Sequence, residues 1–302
     1  MMVRRTPIRR TTVGRATGRQ PISGAAPRST SRRPAPTLRL MLRTVAATRF
    51  VTPFREGGSL PGLCEADDDG LYVVKFHGAG QGPKALVAEV IVGELARALG
   101  LPVPELVLVE LDARLAAGEP HWEVKELLDR SPGTNLGVDF LPGALGFAPA
   151  VGPAPDPELA AAFVWLDALT LNVDRTPRNP NLLVWHRRLY GIDHGAALYM
   201  QHRWEDALSD AEHARRPFPQ VRDHVLLPFA GSIADADALL APHVTDTLLR
   251  ELAGAVPDAW LDGDPAFASV DDNRGAYVDY LRRRLAAPRA FAEEAERART
   301  GA

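Results

Sequence analysis

Hydrophobic positions fall into two regimes along the chain. As far as residue 125 the spacing is mainly strand-like, with one helix. The run LYVVKF (71–76) is β-branched and aromatic and follows the acidic turn Asp67-Asp68-Asp69-Gly70, which predicts a strand. In KALVAEVIVGELARALG (84–100) apolar residues recur at three and four, and Gly100 and Pro102 follow, which predicts a helix. ELVLVEL (105–111) and HWEVKEL (121–127) alternate like strands, and LRTVAATRFVTPF (42–54) is the first run that looks folded.

The Gly/Pro-rich stretch 131–157 then reads as loop, and the remainder is mainly helical. Helices are expected over 157–172 and about 205–213, 234–255 and 272–300, with a short strand pair around NLLVW and LYGIDHG. There is no internal repeat. Strands with one helix first and helices later predict an α+β fold of two lobes around a crevice. The strand-rich lobe is expected over 41–127 and the helical lobe over 128–302.

Charge changes the picture only at the start. The chain has 302 residues and a net charge of -3, but residues 1–40 carry ten arginines and no acidic side chain. The remainder holds 25 basic against 38 acidic groups, or -13, whose field repels phosphates and argues against a nucleic-acid partner. Residues 1–40 lack an apolar period and are expected to be disordered, either as a basic arm or as a start assigned too early, with Met41 the true start. No run approaches the roughly 18 apolar residues of a membrane span. The single cysteine, Cys64, excludes an internal disulfide and fits a cytoplasmic location. Only three lysines occur, Lys75, Lys84 and Lys125.

The strongest chemical signal is Asp174-Arg175-Thr176-Pro177-Arg178-Asn179, leading through Leu182-Leu183-Val184-Trp185 to Gly191-Ile192-Asp193-His194-Gly195. Phosphoryl transfer needs a carboxylate at the attacking hydroxyl and hard oxygen ligands for magnesium. Asp174 is the candidate base, and Asn179 and Asp193 are the candidate metal ligands. Gly195 allows backbone geometry that bulkier residues resist. Taken singly, each of these polar residues could equally cap a helix or mark a turn.

Lys75 ends its strand as an ammonium suited to the nucleotide phosphates and to a glutamate on the next helix. Glu89, set among apolar neighbours, is the preferred partner, with Glu94 competing. Gly57, Gly58 and Ser59 lie before that strand, where glycines let backbone N–H groups approach phosphates. Backbone groups at Val124, Lys125 and Glu126 are the candidate adenine contacts, on a segment expected to join the lobes.

These residues resemble the HipA-like kinase family, relatives of the HipA toxin kinases. The resemblance is carried by YVVKF, LARALGLPVPE, DRTPRNPNLL and IDHGAAL, and spans about 41–300. The catalytic run also resembles the D-R-H-x-x-N loop of phosphatidylinositol kinases, with Thr176 in place of the histidine and Pro177 after it. The resemblance implies a two-lobed protein-kinase-like fold that uses ATP and Mg2+. Asp174 would then be the base, Asn179 and Asp193 would hold the metal, and Lys75 would meet the phosphates. The expected acceptor is a protein Ser/Thr hydroxyl; a small-molecule or lipid kinase and a non-catalytic nucleotide-binding module are the alternatives. Toxin activity is not implied.

Overall fold

The computed structural model describes residues 42–54, 60–151 and 154–301. The basic segment 1–40 and the candidate phosphate loop at Gly57, Gly58 and Ser59 lie outside these residues.

Five strands close into a small barrel in the order β1-β2-β3-β5-β4. They are β1 (Thr44–Pro53), β2 (Gly62–Ala66), β3 (Leu71–Lys75), β4 (Leu106–Leu111) and β5 (Gly133–Asp139). The parallel pairing of β1 with β4, Thr44 opposite Leu108, closes it. Alternation sends Val45 and Ala47, Cys64 and Ala66, and Tyr72 and Val74 inward, so the interior is filled by mostly small side chains. Space there is short: a Cβ on Gly137 of β5 would lie 2.6 Å from Val109 and 2.7 Å from Val107.

Helix α1 (Gly82–Ala98) connects β3 to β4, and α2 (Trp122–Asp129) connects β4 to β5. Helix α2 corrects the strand expected over 121–127. Its buried residues, Val124 and Leu128, are four apart, and the ion pairs Lys125–Asp129 and Glu126–Arg130 have the same helical spacing. Alternation over seven residues concealed this because Trp122, its first apolar residue, faces solvent.

Strand β5 is a second correction. It lies within the stretch read as loop and pairs with both β3 and β4, so the strand-rich lobe runs on to Asp139 rather than ending at 127. Gly133 and Gly137 gave GTNLGVD the composition of a loop, but the tight barrel wall needs a glycine at 137.

The second lobe is built on α3 (Pro157–Thr170), capped by Asp156 and apolar on all sides, as befits a helix at the centre of a core. Strands β6 (Leu145–Gly146), β7 (Leu182–Trp185) and β8 (Arg188–Gly191) form a small antiparallel sheet. Helices α4 (Trp204–Ser209), α5 (Ile233–Leu240), α6 (Asp246–Gly254), α7 (Asp258–Leu261), α8 (Val270–Leu285) and α9 (Ala290–Thr300) complete it. The two long helices expected near the end are each interrupted beside a proline, at Pro242 and Pro288, which cannot continue a helical ladder. Buried Arg284 of α8 donates to the carbonyls of Ala168 and Leu169, both at 2.7 Å, and so satisfies the C-terminal end of α3.

Candidate active site

The site is assembled from three backbone devices. Strand β3 delivers Lys75 to the barrel's end, and α1, two turns in, presents Glu89 to it. The tight β7–β8 hairpin, turning at His186 and Arg187 with positive φ at both, returns the chain beside the candidate catalytic loop, residues 174–181. Leu182 pairs with Gly191 and the Ile192 N–H donates to the Asn181 carbonyl at 3.0 Å, so Asp193 emerges next to the segment 174–181.

Lys75 lies between two carboxylates. Its Nζ donates to Glu89 and, at 2.7 Å, to Asp193. Glu89, 1 % exposed, also accepts the Gly195 N–H at 2.7 Å. A Cβ on Gly195 would stand 3.1 Å from that oxygen, so the small residue is what permits the approach. Glu94 instead pairs with Arg97 on the same helix. Burial opposes the Lys75 charge, but the two carboxylates outweigh it and raise its pKa above the ordinary lysine value. The ammonium in turn holds Asp193 well below the usual carboxylate range, while burial pushes Glu89 up. Asp193 is reached through a left-handed backbone, φ 55°, which aspartate tolerates better than most residues.

Asp174 begins the loop after α3. Its Oδ2 accepts from the side-chain amides of Asn179 at 2.7 Å and Asn181 at 3.2 Å. Its own N–H is held by Asn172 at 3.1 Å. Among the described residues the structure therefore brings together two groups: Lys75 with Glu89 and Asp193, and Asp174 with Asn179.

Val124, Lys125 and Glu126 join neither group. They lie on α2 rather than on an extended segment joining the lobes, with the Lys125 N–H bonded to the His121 carbonyl and the Glu126 carbonyl to the Arg130 N–H. The chain leaves the barrel after β5, and residues 140–144 lead to β6 and the second lobe.

A model of the HipA-like kinase family matches residues 47–285, from β1 to the end of α8. The chain belongs to the HipA-like kinase family. It has the two-lobed α+β protein-kinase-like fold. Among solved structures it is similar to the Helicobacter pylori proinflammatory kinase CtkA at 14 % identity, over 85 % of this chain and 99 % of that one, with a TM-score of 0.49. It is also similar to the golgi casein kinase at 14 % identity, over 83 % of this chain and 75 % of that one, with a TM-score of 0.38. No curated protein matches its sequence. No helix among the described residues is long and apolar enough to cross a membrane.

In this member of the HipA-like kinase family a buried network that the sequence pattern did not reveal joins the segments that carry the two groups. Arg175, 1 % exposed, pairs with Asp167 of α3 and donates to the carbonyls of Asn181 and, at 3.1 Å, Ile192. It also donates to His194 Nδ1 at 3.1 Å. One guanidinium thus joins α3, the segment 174–181 and the residues on either side of Asp193. Burial acts against the Asp167 charge, but Arg175 and the 2.9 Å bond from His224 hold its pKa well below the ordinary carboxylate range. Burial and the Arg175 charge push His194 down to about 3, so it stays neutral and can accept at Nδ1. The available signal was Asp167, an acid inside FVWLDALTL, the same pattern that singled out Glu89.

Proposed function

We propose that this chain transfers the γ-phosphate of ATP, as its magnesium complex, to a hydroxyl, with a protein Ser/Thr as the acceptor class. The observation that carries the reading is the ammonium of Lys75 held between Glu89 and Asp193, beside a loop whose Asp174 is oriented by Asn179. The donor set fits the metal. Asn179 spends its amide nitrogen on Asp174, which leaves its oxygen, and Asp193 is a half-exposed carboxylate. Magnesium takes few protein oxygens and keeps its waters. Asp193 is bonded to the ammonium that would meet the phosphates, and the cavity beside that pair is about 10 Å3.

When bound, the metal and nucleotide supply the electrophilic phosphorus and neutralise its charge. The residues of the chain do the rest. Lys75, steadied by Glu89, would orient the phosphates, and Asn179 and Asp193 would hold the metal. Asp174 would accept the acceptor hydroxyl's proton at its carboxylate as the new oxygen–phosphorus bond forms and the γ-phosphorus bond to the departing ADP breaks.

The test is Asp174→Asn, assayed with labelled ATP and host lysate. Nucleotide affinity should hold while transfer falls by about two to four orders of magnitude, the span of general-base loss. Lys75→Ala should weaken binding and transfer together. Transfer by Asp174→Asn at the wild-type rate would make Asp174 a structural cap. Tight Mg-ATP binding by the wild type with no transfer to any species would make the chain a binding module.

A further inference from the structure

Lys84 has no part in the chemistry above, yet it is one of only three lysines in the chain. It sits in the first turn of α1, where a cation works against the helix dipole, and α1 has no acidic residue in that turn to offset it. Its ammonium is engaged elsewhere. Nζ donates to the Gln201 carbonyl at 2.7 Å and pairs with Asp264 at 2.9 Å. The Asp264 side chain is only 9 % exposed. Gln201 is fully buried, and its side chain accepts from the Tyr277 hydroxyl of α8 at 2.8 Å. One ammonium therefore ties the start of α1 to the segment that follows Asp193 and, through Gln201, to a C-terminal helix.

The packing divides the molecule along the same line. The apolar residues of α1, among them Leu86, Val90, Ile91 and Leu95, belong to the large core built mainly by the second lobe, which Leu106 of β4 and Leu136 of β5 also join, and α1 rests chiefly on α6 and α7. The barrel and α2 have a separate core. Although α1 lies between two barrel strands in sequence, it packs more on the second lobe than on the barrel. The Lys75–Glu89 pair bridges the two bodies.

We propose that Lys84 is a positioning residue: by anchoring α1 to the second lobe through Asp264 and Gln201, it keeps Glu89 in place to receive Lys75 when the barrel closes on a nucleotide. Glu89 is five residues along the same rigid helix, about 7.5 Å of rise, so loosening the first turn loosens the carboxylate. The catalytic half of the proposal rests on the kinase reading; the anchoring half does not.

The experiment uses the full chain with Lys84→Met, Lys84→Arg, Glu89→Gln and the double variant Lys84→Met/Glu89→Gln. Without nucleotide, hydrogen exchange should quicken across α1 in Lys84→Met, stay unchanged in β1 and β2, and return toward wild type in Lys84→Arg. In phosphoryl transfer, Lys84→Met should lower kcat/KM for ATP by about tenfold, the scale of a network residue remote from the ligand. It should cost nothing further in the Glu89→Gln background, although the melting temperature drops equally in both. Equal activity losses in both backgrounds would show that Lys84 does not act through Glu89 and would overturn the proposal, as would unchanged exchange in α1. If the wild type transfers no phosphate, the kinase reading fails, and the exchange result alone upholds or overturns the anchor.

Discussion

Arg175→Met is the sharpest perturbation of this molecule. The replacement fills much of the volume but leaves the fully buried Asp167 carboxylate without its cation. Asp167 keeps the Asn172 amide at 3.0 Å and the His224 ring at 2.9 Å, which places the loss toward the lower end of the about 3–5 kcal/mol typical of a broken buried pair. The Asn181 carbonyl still receives the Ile192 N–H, so the acceptors newly deprived are the Ile192 carbonyl and His194 Nδ1, each costing on the order of 1 kcal/mol. A loss of about 4–5 kcal/mol is expected in urea denaturation at pH 7, followed by fluorescence of buried Trp165 on α3. Asp167→Asn/Arg175→Met removes both charges and should recover about half of it.

The pH dependence has a definite sign. In the wild type Asp167 is depressed, so its contribution is complete above about pH 4 and is lost as pH falls below that. Without Arg175, burial is opposed only by the Asn172 and His224 bonds, so Asp167 rises relative to the wild type and the folded variant binds a proton more readily than the folded wild type. The deficit of the single variant against wild type should therefore shrink between pH 7 and pH 5. A loss below about 1 kcal/mol, or a double variant that loses the sum of the two single losses, would refute the reasoning.

Asp193→Ala should abolish the extra thermal stabilisation that Mg2+ gives over EDTA in the presence of ATP, while the protein without ligand stays folded; an unchanged increment in differential scanning fluorimetry would move the metal elsewhere. Arg284→Met removes donors from the carbonyls of Ala168, Leu169, Ala214 and Arg216 and should cost about 2–4 kcal/mol in denaturation. Arg284→Lys should recover only part of that, because an ammonium lacks the guanidinium's planar spread of donors.

Local pattern and unusual residues carried much of this protein into view. The two-lobed α+β class, the helix 84–100 and its resemblance to HipA-like kinases could all be read along the chain, because amphipathic spacing and catalytic-loop spacing are properties of neighbouring residues. Lys75 and Glu89 stood out for the same reason: a charge in an apolar run needs a partner, and the structure pairs them.

Other features depended on partners that no window of sequence contains. GTNLGVD is a strand only because β3 and β4 flank it, and Gly137 is required there by Val107 and Val109 across the barrel. HWEVKEL is a helix because Val124 and Leu128 both find the barrel core, and in seven residues alternation and a helical stripe are hard to tell apart. Arg175 bonds to His194, Arg284 to Leu169 and Lys84 to Asp264, 19, 115 and 180 positions apart. The sequence by itself determined which residues hold charge in apolar surroundings. Only the tertiary structure decided which of them meet, because the pairing of buried charges is set by how the elements pack around them.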